Sequence, residues 1–421
     1  MRPLLPSFVA ACASLALVAT GCSPGAAPPA NPTSAAQAGA TAVAAAPTAA
    51  AAVATTVAKV APTTGAAASG QPLPVALNTE ITGAGALTGD LANKAATIAV
   101  EAINSQGGVG GRPIELIVDD AQSSNQGALA ALNKAAGEDH AIAMVGPVKS
   151  TQILAIEPRI RELEMPSFLG GTNPTFTQKG NPWLFRLRPT DAIAGPAIAQ
   201  YMLNDLKLSK VAVLHDSDAF GTTGADLVEQ AVKKAGKELA RRESYKTGDK
   251  DFTAQILSIR QAGADGIAAY GTNVEDDAVI VRQLREQGLN IPIVGSPSFS
   301  QTVLVNLAKE AVDGIYVVED YFPGRTPESQ AYIDAWRAKY NSDPDALSAW
   351  NWDAMMIIKQ VYPDSGGDKA KFRDGVRALK DYHGAVGTIS FDQNGDGLHS
   401  VDIMQYKGTE PQFIRTVTPQ T

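Results

Sequence analysis

Between Pro74 and Phe322 the chain keeps repeating one unit: a short apolar run that ends in a small, polar, Gly-rich loop and gives way to a helical pattern. PVALNT (74–79), IELIVDD (114–120), AIAMVGP (141–147) and PSFLGGT (166–172) make a first series. After Pro189 a second begins, with KVAVLHDSD (210–218), DGIAAYGTN (265–273), IPIVGSPS (291–298) and DGIYVVEDYF (313–322). Runs this short and this apolar suit strands buried on both faces, and parallel strands need a crossover between them. Helical patterns such as LANKAATIAVEAIN (91–104) and NQGALAALNKAAG (125–137) supply it. The predicted fold class is α/β, with two Rossmann-like lobes, each a parallel sheet covered by helices. Two amphipathic segments, SQAYIDAWRAKY (329–340) and ALSAWNWDAMMIIKQVY (346–362), follow the second series, and GTISFDQNGDGLHSVDIMQY (387–406) reads as a closing hairpin.

The strand ends say where a ligand would sit. TGAG, GPVKST, GGTN, HDSDAFG, YGTN and GSPSFS each lead towards a helix. In open α/β sheets the carboxyl ends of the strands line the ligand crevice, and helix N-termini offer free N–H groups to an anion. Two such rims facing one another make a cleft. No set of catalytic or metal-binding residues accompanies them. GAGALTG (83–89) is one residue too long for a dinucleotide fingerprint, and Val148 in GPVKST stands where a phosphate loop requires glycine. His140, His215, His383 and His399 are scattered, with no metal-type pair and no G-x-S-x-G elbow nearby. DQNGDG (392–397) starts like a calcium loop, but its twelfth position is Ile403, so a tight turn is expected there. No cofactor and no metal is predicted, and the chain is expected not to be an enzyme.

The first 70 residues have a different composition. Arg2 precedes an apolar run from Phe8 to Thr20 that is too short for a bilayer core of about 30 Å and fits an export signal over residues 1–21. Ala19, Thr20 and Gly21 are small enough for a processing peptidase, and Cys22 then heads the mature chain. This stretch resembles the lipobox of bacterial lipoproteins, which implies lipidation of Cys22. The only other cysteine, Cys12, falls in the removed segment, so an intramolecular disulfide is impossible and the lone thiol asks for another use. Residues 22–70 are nearly all Ala, Pro, Thr, Gly, Ser and Val and have the composition of a tether, with a span of about 40 Å as a flexible coil. The net charge of −8, less the two positive charges of Arg2 and Lys59, leaves −10 on Gln71 to Thr421, which argues against nucleic acid.

A resemblance adds to this. EAINSQGGVGGRPIELIVDDAQS (101–123), VGPVKSTQILA (145–155), PSFLGGTNP (166–174), LFRLRPTD (184–191), VAVLHDSDAFG (211–221), KDFTAQILSIRQAGADGI (250–267) and VGTISFDQNGD (386–396) follow one another as in the leucine/isoleucine/valine-binding protein family, the type I periplasmic binding proteins of ABC importers. The resemblance implies three crossovers between the lobes, near Pro189–Thr190, Tyr321–Phe322 and Ala385–Gly387. It implies one lobe of 71–190 with 322–386 and another of 191–321 with 387–414. It also implies a small-molecule ligand, an amino acid or related organic acid or amide, held between the lobes and passed to an ABC permease and ATPase complex. The chain would then be extracytoplasmic and lipid-anchored, in a periplasm or on the outer face of the cytoplasmic membrane. A ligand-sensing module for a membrane signalling partner is the alternative, since the same fold serves sensors.

Site residues follow from the resemblance position by position. Ser150, with Thr151 beside it, matches the serine that receives a ligand carboxylate, and Gly170, Gly171 and Thr172 match the loop that completes the anion site with N–H groups and a hydroxyl. In the opposite lobe Phe220 and Asn273 stand at two of the family's tyrosines, and Thr88 in the first loop stands at a third. Pro297 occupies the position of the glutamate that holds the ligand's ammonium, so an acid among Asp216, Asp218, Glu275 and Asp276 would have to replace it. Tyr270, Tyr321 and Trp352 offer further aromatic surface, with core packing the expected role of the first and last.

Overall fold

The structure is a computed structural model that describes residues 70–418; the expected export signal, Cys22 and the tether up to Ser69 lie outside the described residues. The first series of apolar runs forms β1 (Leu73–Thr79), β2 (Ile114–Asp120), β3 (Ala143–Val145), β4 (Ser167–Leu169) and β5 (Leu184–Arg186). They pair in parallel in the order β2-β1-β3-β4-β5. Helices α1 (Ala86–Ser105), α2 (Asn125–Gly137) and α3 (Ser150–Leu163) make the crossovers.

The second lobe opens with α4 (Asp191–Gln200) and repeats the plan with β6 (Val211–Asp216), β7 (Arg241–Tyr245), β8 (Gly266–Tyr270), β9 (Ile293–Gly295) and β10 (Tyr316–Glu319). Their order, β7-β6-β8-β9-β10, is that of the first sheet, and α5 (Ala219–Lys234), α6 (Thr253–Gln261), α7 (Val274–Glu286) and α8 (Thr302–Ala308) connect them. Every residue of β6 and β8 is buried, as a strand covered on both faces requires. In both sheets the strand order reverses between the first and third strands, which is where such sheets take ligands.

The chain then returns to the first lobe. In α9 (Pro327–Tyr340) and α10 (Ala349–Ser365), Tyr332, Trp336, Trp350, Met355, Ile357 and Ile358 bury against the α1 side of the first sheet, each aliphatic contributing about 1.5–3 kcal/mol. After α11 (Lys369–Arg377) come β11 (Tyr382–Gly384), β12 (Gly387–Ile389), β13 (Val401–Lys407) and β14 (Glu410–Val417). The hairpin expected over 387–406 does not form. β12 pairs back with β11, whereas β13 joins the second sheet antiparallel to β10 and carries β14 on its far side. Beyond the crossing expected at Ala385–Gly387, Ile389, Phe391 and Leu398 still pack in the core of the first sheet, while Val401 and Ile403 belong to that of the second. The DQNGDG segment is a turn in which Asp392 Oδ1 accepts the N–H groups of Asn394 and Asp396, at 2.8 and 2.9 Å. Asp396 is fastened in turn to the fully buried Arg186, with 2.7 Å between Oδ1 and Nε.

Candidate ligand-binding site

The site begins at the turn from β3 to α3. Gly146 has φ +96° and its missing Cβ would lie 2.0 Å from the carbonyl oxygen of Asn78, so only glycine brings the chain round here. The turn delivers Ser150 as the first residue of α3, with Lys149 before it making no side-chain cap, so the first-turn N–H groups have no cap at their head. Ser150 Oγ accepts the N–H of Asn173 at 3.2 Å and keeps its own proton to donate.

The loop after β4 lies alongside. A Cβ on Gly170 would fall 2.4 Å from the Trp350 indole, and one on Gly171 would fall 2.4 Å from Ile153 Cδ1 and 3.1 Å from Ser150 Oγ. The glycine pair lets this backbone come down beside the serine. Thr172 departs from expectation: its hydroxyl donates to Asp191 Oδ2 at 2.9 Å, so a ligand meets its lone pairs or backbone rather than its proton. Asp191 also accepts the Tyr270 hydroxyl at 2.9 Å, through Oδ1, and complete burial pushes its carboxyl up to about 6. Gly224 makes room for that Tyr270 ring, which would sit 2.0 Å from a Cβ there.

The two rims meet through side chains. Thr88 Oγ1 donates to Gln301 Oε1 at 3.0 Å, Asn173 Nδ2 to Thr223 Oγ1 at 2.8 Å, and Lys149 Nζ to Asn273 Oδ1. Thr151 Oγ1 accepts the N–H of Ala219 at 3.3 Å and donates to Asp218 Oδ2 at 3.4 Å. Between the rims is a cavity with about 40 Å³ of room for the centres of water-sized molecules, space for very few waters.

Thr88, Ser150, Thr172 and Phe220 stand on its walls. Thr151 and Asn273 are spent on contacts between the rims, and Gly170 and Gly171 act behind the wall by their lack of side chain. Pro297 is buried in a 3-10 turn, and the wall is supplied instead by its neighbours Ser298 and Gln301. Sequence reasoning also missed Lys149, Arg188, Thr272 and Leu347; the first lies in GPVKST directly before Ser150, a signal that was available.

Three of the four acids considered as ammonium partners, Asp216, Asp218 and Asp276, have other work. Asp216 accepts from Thr247 Oγ1 at 2.7 Å and burial raises its carboxyl to about 6; Asp218 caps α5 through Gly221 N at 2.8 Å. Asp276 accepts the N–H of Gly248 at 2.8 Å, and Glu275, half-buried, is raised by burial. No carboxylate of the described residues is on the cavity wall. Tyr321 and Trp352 are buried in the core of the first lobe.

Two lobes of one topology, with strand ends turned to a shared polar cavity and helix N-termini at its edge, define a bilobed solute-binding protein. The family model described as periplasmic binding protein matches residues 72–410, and the chain belongs to this family, among the type I proteins of the leucine/isoleucine/valine-binding group. It is 30% identical over 342 residues to the leucine-, isoleucine-, valine-, threonine-, and alanine-binding protein of Pseudomonas aeruginosa, covering 80% of this chain and 89% of that one. The branched-chain amino acid transporter substrate-binding protein LivJ of Streptococcus pneumoniae, solved with isoleucine, is 25% identical with a TM-score of 0.78, covering 83% of this chain and 100% of that one. The solute-binding protein of an ABC transporter from R. palustris, solved with benzoate, shares the fold at 20% identity and a TM-score of 0.77, covering 83% of this chain and 97% of that one. These relatives are substrate-binding proteins, and binding of a solute outside the cytoplasm is the role the family shares.

Proposed function

We propose that this protein is the receptor of an ABC importer of the branched-chain-amino-acid type, a non-enzyme that captures a small amino acid or related carboxylate or amide and hands it to a membrane permease with its ATPase. The observation that carries the reading is the uncapped N-terminus of α3, with Ser150 placed on the cavity wall. There the uncapped first-turn N–H groups and the serine hydroxyl belong to the same helix head, a donor set suited to a carboxylate. Phe220 stands on the wall from the opposite lobe, against which the rest of the solute packs.

The lobes divide, in this reading, at three connecting segments, 187–190, 320–326 and 399–400. The third replaces the expected Ala385–Gly387 because the first-lobe core runs on to Leu398. Rotation about these segments opens the rims and admits the solute. Lipidation of Cys22, followed by the tether, keeps the receptor on the membrane beside its permease. The test is native mass spectrometry of the purified protein to identify a retained solute, followed by titration calorimetry with that solute on wild type and Ser150→Ala. Loss of one hydrogen bond to a charged group weakens binding about 10- to 150-fold. Affinity unchanged by the substitution would remove the anion site from the reading.

A further inference from the structure

Two positive side chains stand on the cavity wall, and they are not equivalent. Arg188 is occupied: its guanidinium pairs with Asp320, itself buried, and Nη1 donates to the carbonyl of Gly170 at 2.8 Å. Lys149 has no carboxylate in direct hydrogen-bond contact. Its ammonium donates to the neutral amide of Asn273, and the nearest carboxylate oxygen, Glu80 Oε1, is 3.9 Å away, beyond hydrogen-bond distance. That oxygen is already held by Gln152 Nε2 at 3.1 Å, and burial, at 1% exposure, pushes the Glu80 carboxyl up against the pull of the Lys149 charge. Glu275, the other acid near Lys149, is raised by burial as well. Neither acid reaches the wall, so the charge turned to the solute is positive.

Resting on the reading of this cavity as a carboxylate site, we infer that Lys149 sets the receptor's selectivity, favouring net-anionic carboxylates over zwitterionic amino acids. A carboxylate held at the head of α3 places the rest of the solute within the field of the lysine that precedes it. An α-ammonium there finds a like charge and no carboxylate on the wall. A keto, carboxylate or amide oxygen in the same place finds a donor, and its hydrogen bond is charge-assisted.

The test uses the mature chain and matched solutes: leucine against 4-methyl-2-oxopentanoate, phenylalanine against phenylpyruvate, and benzoate, each titrated calorimetrically into wild type, Lys149→Met, Lys149→Arg and Ser150→Ala. The expected result is that wild type binds the oxo acids at least 10-fold more tightly than the amino acids. Lys149→Met then loses about 10- to 150-fold on the oxo acids and abolishes the preference, while Lys149→Arg retains it. Thermal melts establish that the variants fold. Amino acid binding that responds to Ser150→Ala and is indifferent to Lys149→Met overturns the inference and leaves the carboxylate site standing. Absence of binding by every carboxylate, or binding indifferent to Ser150→Ala, overturns both.

Discussion

Asp353, in α10, holds the turn between β11 and β12: its two oxygens accept the N–H groups of Ala385 and Val386 at 2.8 and 2.9 Å. Complete burial pushes its carboxyl up to about 7 from the ordinary 3.8. The folded protein thus keeps a proton that the unfolded chain has released. The stability due to that proton is fully present below pH 3.8 and is lost as the pH rises through about 7, a change on the order of 4 kcal/mol. Asp353→Asn, which does not titrate, is predicted to be less stable than wild type by about 1 kcal/mol at pH 4, where one N–H loses its acceptor, and to show a flatter decline in urea midpoint between pH 4 and 7. Parallel midpoint curves for the two proteins would show that Asp353 is ionised throughout. Asp191 and Asp216 act in the same direction, each with its carboxyl near 6, so some slope persists in the variant. Ser150, the position the resemblance assigns to the ligand carboxylate, stands on the cavity wall after an apolar strand and a glycine turn. The sequence holds no sign that the Thr172 hydroxyl is turned to Asp191, because that bond joins residues 19 positions apart across two elements.

Among the elements, the loops after β3 and β4 are shaped more by what glycine lacks than by any side chain. Gly170 lies under Trp350, which α10 presents from the returning segment, so the loop and the helix fix one another's position. Gly170→Ala puts a methyl 2.4 Å from the indole and is predicted to destabilise the fold by about 1–3 kcal/mol, read as a lowered denaturant midpoint. It should also weaken solute binding, since Gly170 cannot shift without disturbing the carbonyl that Arg188 holds. A midpoint equal to that of wild type would show that the indole moves aside freely. Most strands were legible because a doubly covered strand is apolar throughout, as in β6 and β8. β7, with the sequence RRESY, and β14, with mostly exposed residues, lie at the two edges of the second sheet and lack that signature. The misassigned hairpin has a related cause: β12 and β13 are close in sequence and equally strand-like, and long-range contacts, among them Phe391 on Phe185 with 5.4 Å between ring centroids and Asp396 on Arg186, hold the segment between them to the first lobe.

At the scale of the whole molecule, the same strand order in both sheets brings two strand-end edges together, and in the proposed receptor the bonds between those edges set how long they stay closed. Thr88 to Gln301 and Asn173 to Thr223 each join a residue of one lobe to a residue of the other. Bonds of this kind exist only when the rims meet, so they favour the closed population without adding a contact to the open one. Gln301→Ala removes one of them, with a net loss of about 0.5–1.5 kcal/mol from the closed form. The predicted consequence is release of a bound solute about 2- to 10-fold faster, with association changed far less, because mutants at one interface differ mainly in dissociation. Stopped-flow displacement measures both rates. Small-angle scattering on the same samples should show solute-dependent compaction in wild type and variant alike, since the connecting segments are untouched. Slower association with unchanged release would mean that Gln301 guides entry rather than holding the rims shut.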